Sequence, residues 1–238
     1  MSFGLILGVA RLVFILPLLA TAQEDKKPDF TPSMNPENIA AYKQPVSAGA
    51  RKAIEEGIKA FSKKDLDAAA ISFNKVLALE PGNITGLVNL GLVEFRLDHR
   101  EAAETLLRKA VRVDPDSGLA WLTLGIVYYN QNKLDAALAA LSQAVLIEPK
   151  NPRAHNYLAV TIGGKGWVVG AEQELQKAIE LDSSYAEAHF NLAVYYLQRT
   201  PPAVELARRH YQKALDLGAA PDPLVEKDLG NVGSRNPN

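Results

Sequence analysis

Apolar residues recur at intervals of three and four along most of the chain from Ser47 onward, the spacing that lines one face of an α-helix. The stretch 118–151 shows the pattern most clearly. Trp121, Leu124, Gly125 and Tyr128 form one stripe, and Ala137, Leu141 and Ala144 form a second. Asn130 to Lys133 supply a polar turn between them, and Pro149 stands where a helix cannot continue. Two helices joined by a short turn are therefore predicted, and the small residues let their backbones approach closely. The same pattern recurs with a period of 34 residues, the interval from 118 to 152. Five copies follow, at about 50–83, 84–117, 118–151, 152–185 and 186–219.

A helix of about 14 residues is marginal alone in water, and a single pair cannot bury its apolar stripe. Stacked pairs share a continuous core, so the repeat predicts an all-α solenoid. Gly57, Ala69, Phe73 and Pro81 keep the pattern in the first copy, and Leu90, Gly91, Ala103, Leu107, Ala110 and Pro115 in the second. Leu158, Ala159, Ala171, Leu175 and Ala178 keep it in the fourth; Leu192, Ala193, Tyr196, Ala207, Tyr211 and Ala214 keep it in the fifth. The fifth copy has a turn two residues longer, where Thr200 is placed to cap the next helix with Pro201 at its first position. Gly163, Gly164, Gly166 and Gly170 crowd the fourth copy. Each glycine inside a helix costs roughly 1 kcal/mol relative to alanine, which predicts an early end to that copy's first helix. Asp222, Pro223, Leu224, Val225 and Leu229 suggest a short capping helix over 220–230, and 231–238 read as a disordered tail.

The third copy resembles a tetratricopeptide repeat (TPR): Trp121, Leu124, Gly125, Tyr128, Ala137, Ala144 and Pro149 stand at the places that family holds, with Leu141 in the place of Phe. The resemblance implies a right-handed α-solenoid of about five helix-turn-helix repeats over 47–219. It also implies a non-catalytic protein-interaction scaffold or adaptor. In this family the first helix of each pair lines a concave groove through its second, fifth, ninth, twelfth and thirteenth places. The fifth and ninth places here hold Ile54 and Ile58, Val88 and Leu92, Leu122 and Ile126, Asn156 and Val160, Phe190 and Val194. Nine of these ten are apolar. The twelfth place adds Phe61, Phe95, Tyr129 and Leu197, with Gly163 as the exception.

An apolar patch of that size is rarely left open unless it binds something. The expected occupant is an apolar or amphipathic segment of a protein partner. Val88, Leu92, Leu122, Ile126 and Phe190 are expected to carry most of the contact, and an arginine at position 122 to abolish capture while sparing the fold. The alternative is coverage by the chain's own 23–46 stretch, which contains Phe30, Met34, Ile39 and Tyr42. The carboxylate clamp of chaperone-binding TPR domains is absent, since Asn89 alone occupies a matching place.

Net charge is −1, which gives no footprint for nucleic acid. The absence of cysteine excludes disulfides, thiol catalysis and zinc ribbons. Residues 1–22 carry one charge, Arg11, and end in Ala20-Thr21-Ala22 before Gln23, the layout of a secretory signal peptide cut after Ala22. An uncleaved membrane anchor over 3–22 is the alternative. Either reading places the body outside the cytoplasm, in the periplasm or secreted, and the second makes it a membrane-anchored assembly factor of the cell envelope. Residues 23–46, with four prolines, read as a flexible linker.

No catalytic constellation or metal set stands out, and no cofactor is implied. Gly163-Gly164-Lys165-Gly166 lacks the Ser or Thr and the preceding strand of a phosphate loop. His155 and His189 hold the place of Trp121 in the next two copies, which makes them packing residues. His99 and His210 read as surface groups. Arg108, Lys109, Arg112, Arg208 and Arg209 fall on the second helices and read as a solvated face. Asn83-Ile84-Thr85 is a glycosylation sequon by pattern.

Overall fold

The computed structural model describes residues 46–233. All of them belong to the second of two compact units, Met34–Asn238; the first, Met1–Ser33, lies outside the described residues. The signal segment, the linker up to residue 45 and the last five residues therefore also lie outside them. Among the described residues there are eleven helices and no strand.

Ten helices form five pairs: α1 (Ala48–Ser62) with α2 (Leu66–Leu79), α3 (Ile84–Arg96) with α4 (Arg100–Val113), and α5 (Gly118–Asn130) with α6 (Leu134–Ile147). They continue with α7 (Pro152–Gly164) and α8 (Val168–Leu181), then α9 (Ala186–Gln198) and α10 (Val204–Asp216). Each packs mainly on its neighbours in sequence, and successive first helices α1, α3, α5, α7 and α9 also touch. The result is an α-solenoid. Its core is built from the repeating small and branched positions: Ala69, Phe73 and Val76; Ala103, Leu107 and Ala110; Ala137, Leu141 and Ala144; Ala171, Leu175 and Ala178 are all buried.

The local chemistry of the ends explains why the helices start and stop where they do. Ser47, Asn83, Ser117 and Asn151 each cap a first helix by accepting a backbone N–H of its first turn. The first helices of the first four repeats end in a Schellman turn, in which the N–H of Asp65, His99, Lys133 and Trp167 reaches back to the carbonyl of Ala60, Glu94, Tyr128 and Ile162. The residue before each of those donors is left-handed: Lys64, Asp98, Asn132 and Gly166, with φ of 62°, 64°, 58° and 86°.

That geometry corrects the reading of the fourth repeat. Helix α7 spans 13 residues, as does α5, and does not end early. Gly166 supplies the left-handed turn residue that L side chains adopt only with strain, and Gly163 makes room for a neighbour, since a Cβ there would collide with the ring and hydroxyl of Tyr195. The glycines answer to turn and packing geometry, which the propensity argument did not weigh.

The fifth repeat also departs from expectation. Thr200 caps nothing: α10 starts at Val204 after Ala203, with no side-chain cap, four residues beyond Thr200. A final helix, α11 (Pro223–Gly233), runs three residues past the expected end at 230. It packs against α10 and α9 through buried Val225 and Leu229. Asp222 accepts from the N–H of Leu224 and Val225, and its own N–H donates to the Tyr211 hydroxyl at 2.7 Å. No helix among the described residues is long and apolar enough to cross a membrane.

Candidate partner-binding face

Fifth and ninth places are four residues apart and so share one face of each first helix. In the structure that face is withdrawn from water, most deeply in the second to fourth repeats. Ile54, Val88, Leu92, Leu122, Ile126, Tyr129 and Val160 are 1–7 % exposed. Ile58, Phe61, Phe95, Phe190, Val194 and Leu197 are half-buried. Leu122, at 2 % exposure, cannot accept an arginine without cost to the fold, so the expectation that this substitution would spare stability is corrected. Half-buried Val194 and Leu197 are the better probes.

Asn156 is the polar member of the set, and its groups are used internally. Its Nδ2 donates to the Tyr185 hydroxyl at 3.3 Å, and its Oδ1 accepts from Asn191 Nδ2 at 2.9 Å. Burial pushes the Tyr185 and Tyr195 phenols well above the usual tyrosine range. Asn89, the residue at a clamp place, donates through Nδ2 to the Thr85 carbonyl at 2.9 Å. Its Oδ1 and the Thr85 hydroxyl are buried without a hydrogen-bond partner. These two atoms sit one turn apart on α3; Asn89 stood out in the sequence only for its clamp place, and Thr85 did not stand out, because it looks like an ordinary helix residue.

The histidines divide differently from the sequence reading. His155 and His189 do sit at the Trp121 place, yet each reaches its own second helix. His155 Nδ1 lies 2.7 Å from Glu174 Oε2, and His189 Nδ1 lies 2.9 Å from His210 Nδ1. His210 is not a surface group. It is half-buried, stacked on His189 at 5.2 Å between ring centroids and set against Tyr196 at 5.6 Å. His99 is exposed and pairs with Glu94 at 2.8 Å. No group of three or more His, Cys, Asp or Glu placed to hold a metal occurs among the described residues.

The remaining sequence candidates are engaged or solvated. Arg108, Lys109, Arg112, Arg208 and Arg209 are exposed. Lys165 pairs with Asp135 at 2.5 Å and lies over the Trp167 ring, 5.5 Å from its centroid. Asn83 of the sequon is the cap of α3 and also donates to Glu80 at 2.8 Å, so its amide is committed to the fold. Glu172, 3 % exposed, is held by a bidentate contact from Arg199, whose guanidinium also lies over the Tyr196 ring at 4.8 Å.

Stacked helix pairs with one apolar face along the first helices define a repeat scaffold of the kind that presents an extended concave surface. Residues 98–160 and 170–222 match family descriptions of the tetratricopeptide repeat, and the chain belongs to that family. Tetratricopeptide repeats serve as protein-interaction scaffolds. Solved structures share the fold. A crystal structure of MamA is 25% identical, over 68% of this chain and 93% of that one, with a TM-score of 0.59. PilF of Pseudomonas aeruginosa is 17% identical, over 78% and 85%, with a TM-score of 0.70. YrrB, described as a TPR protein with an unusual peptide-binding site, is 23% identical, over 79% and 100%, with a TM-score of 0.57. No curated protein matches the sequence.

Proposed function

We propose that this chain is a non-catalytic adaptor working outside the cytoplasm, and that its concave face receives an apolar or amphipathic segment of a protein partner. The observation that carries the reading is the run of apolar side chains at nine of the ten fifth and ninth places along the first helices. Six of those nine side chains are buried and Ile58, Phe190 and Val194 are half-buried, so a partner meets the half-buried ones first and reaches the others only by replacing existing contacts with its own. The segment would match the face by burying apolar side chains, and its backbone N–H groups would meet the unpartnered Asn89 Oδ1 and Thr85 hydroxyl. The peptide-binding site named for YrrB supports the use of this scaffold for a peptide ligand. The export reading rests on residues 1–22 alone.

The test compares Val194→Asp and Leu197→Asp with Arg209→Asp on the opposite face, in capture of partners from the native host by the mature chain. The first two should lose the partner and the third should keep it. Equal retention by all three contradicts the proposal. N-terminal sequencing of the exported protein separates the adaptor, which starts at Gln23, from the membrane-anchored form, which keeps Met1.

A further inference from the structure

Trp121, His155 and His189 hold one place in three successive repeats and perform one task there. Each donates a ring N–H to the carbonyl six residues earlier: Trp121 Nε1 to Pro115 at 2.8 Å, His155 Nε2 to Pro149 at 3.0 Å, and His189 Nε2 to Ser183 at 3.2 Å. A carbonyl only accepts, so Nε2 of both histidines carries a proton. The second ring nitrogen, which indole does not have, points to the second helix of the same repeat. It meets Glu174 in the fourth repeat and His210 in the fifth, and these partners occupy equivalent places once the longer fifth turn is allowed for.

The two contacts respond oppositely to acid. A protonated His155 has two N–H groups and two acceptors, the Pro149 carbonyl and the Glu174 carboxylate, and its charge faces an opposite one. The fifth repeat has no carboxylate in that place. With Nε2–H given to Ser183, neutral His189 offers only a lone pair at Nδ1, so His210 must donate from its own Nδ1. One added proton is accommodated by reversing that bond. A second leaves two N–H groups and two positive rings face to face at 2.9 Å, with no acceptor between them.

The surrounding groups do not relieve that repulsion. On α10, Lys213 bears on His189 and Arg209 on His210, both as like charges, whereas Asp182, at the end of α8, is the acid that bears on His189. On α9 the neighbour is the neutral Tyr196, whose hydroxyl accepts from Gln176 of α8 at 3.2 Å. From α11, Glu226 is engaged by the Tyr211 hydroxyl at 3.4 Å. Burial, first, holds both histidines below the ordinary histidine value; Lys213 adds to it at His189, and His189 and then Arg209 add to it at His210.

We propose that the His189–His210 contact is an acid-released latch between α9 and α10, and that acid frees the C-terminal end of the solenoid while the fourth repeat stays closed. Release would carry the cap with it. Helix α10 holds α11 through the Tyr211 hydroxyl on Asp222 and through Arg208 on the Leu229 carbonyl at 3.2 Å. His155–Glu174, at the equivalent place one repeat earlier, is the internal control.

Backbone amide exchange of the wild-type chain at pH 7.5 and pH 5.0, corrected for the intrinsic pH dependence of exchange, tests this. The expected result is selective loss of protection in 186–230 at pH 5.0, with 152–181 unchanged. His210→Gln should abolish the selectivity, because a carboxamide can donate to neutral His189 or accept from its protonated ring. A uniform change across repeats, or the same selective loss in His210→Gln, overturns the proposal. Titration of the histidine ring signals in the wild-type protein decides the matter should that variant not fold: independent titration of His189 and His210 at the ordinary value also overturns it.

Discussion

The ring of Tyr195 occupies the space in which a side chain at position 163 would lie. A Cβ on Gly163 would collide with the Tyr195 hydroxyl and ring, and the hydroxyl is buried without a hydrogen-bond partner. The twelfth place holds Phe61, Phe95 and Tyr129 in the first three repeats. In the fourth, the corresponding bulk comes from the next repeat's helix. Helix propensity alone would predict that Gly163→Ala stabilises α7 by about 1 kcal/mol. The packing predicts the reverse, a net loss of about 1–3 kcal/mol from overpacking, read as a shift of the urea midpoint.

Gly166 gives a second test of geometry over composition. Its φ is 86°, and the equivalent residues Lys64, Asp98 and Asn132 are also left-handed. Gly166→Ala should cost about 1–2 kcal/mol. Gly166→Asn should cost less, because asparagine already holds the same conformation at position 132. Thermal melting of the two variants checks the order.

The ring N–H at the Trp121 place predicts an interchange. Trp121→Phe removes the donor to the Pro115 carbonyl, and since that bond is solvent-exposed the loss should be about 0.5–1 kcal/mol, at the low end for a hydrogen bond. Trp121→His should retain more of the stability, because histidine makes the same bond in the fourth and fifth repeats. Chemical denaturation of the three proteins at pH 7.5 compares them.

Glu80 links the second helix of the first repeat to the caps on either side. Hydrogen bonds from the Ser47 side chain, the Asn83 amide and the Ser47 backbone N–H hold its carboxyl below the usual glutamate value of 4.5. Because the folded-state value is depressed, its contribution is fully present above pH 4.5 and is lost as pH falls through the folded value. Glu80→Gln should therefore be less stable than wild type at pH 7, and the gap should narrow below pH 4.5. Melting curves at pH 7, 4.5 and 3 measure the difference.

Much of this architecture is legible in the sequence because its determinants are periodic. Small residues such as Ala137 and Ala144, and helix stops such as Pro149, recur at fixed intervals and need no knowledge of distant contacts. The role of the fourth repeat's glycines is not legible in the repeat itself, because the reason for them lies elsewhere: in Tyr195 of the next repeat for Gly163, and in a backbone angle for Gly166. The start of α10 at Val204 was not legible from Thr200 and Pro201, since the pattern there suits a helix beginning three residues earlier. At the candidate face, the apolar residue types were legible but their depth was not, since burial depends on everything packed around a residue. His210 shows the same limit: its polar neighbours in sequence concealed two ring contacts in space.

On the proposed function, a protein partner lies along the first helices. The most direct measurement places a photo-crosslinking amino acid at Val194 or Leu197 on that face, and at Arg112 or Arg209 on the opposite one. Each variant is irradiated in the native host, and its adducts are identified by mass spectrometry. The expected result is one shared protein adduct from positions 194 and 197, mapped to an apolar or amphipathic segment, and none of it from 112 and 209. Adducts of that protein confined to positions 112 and 209 would contradict it.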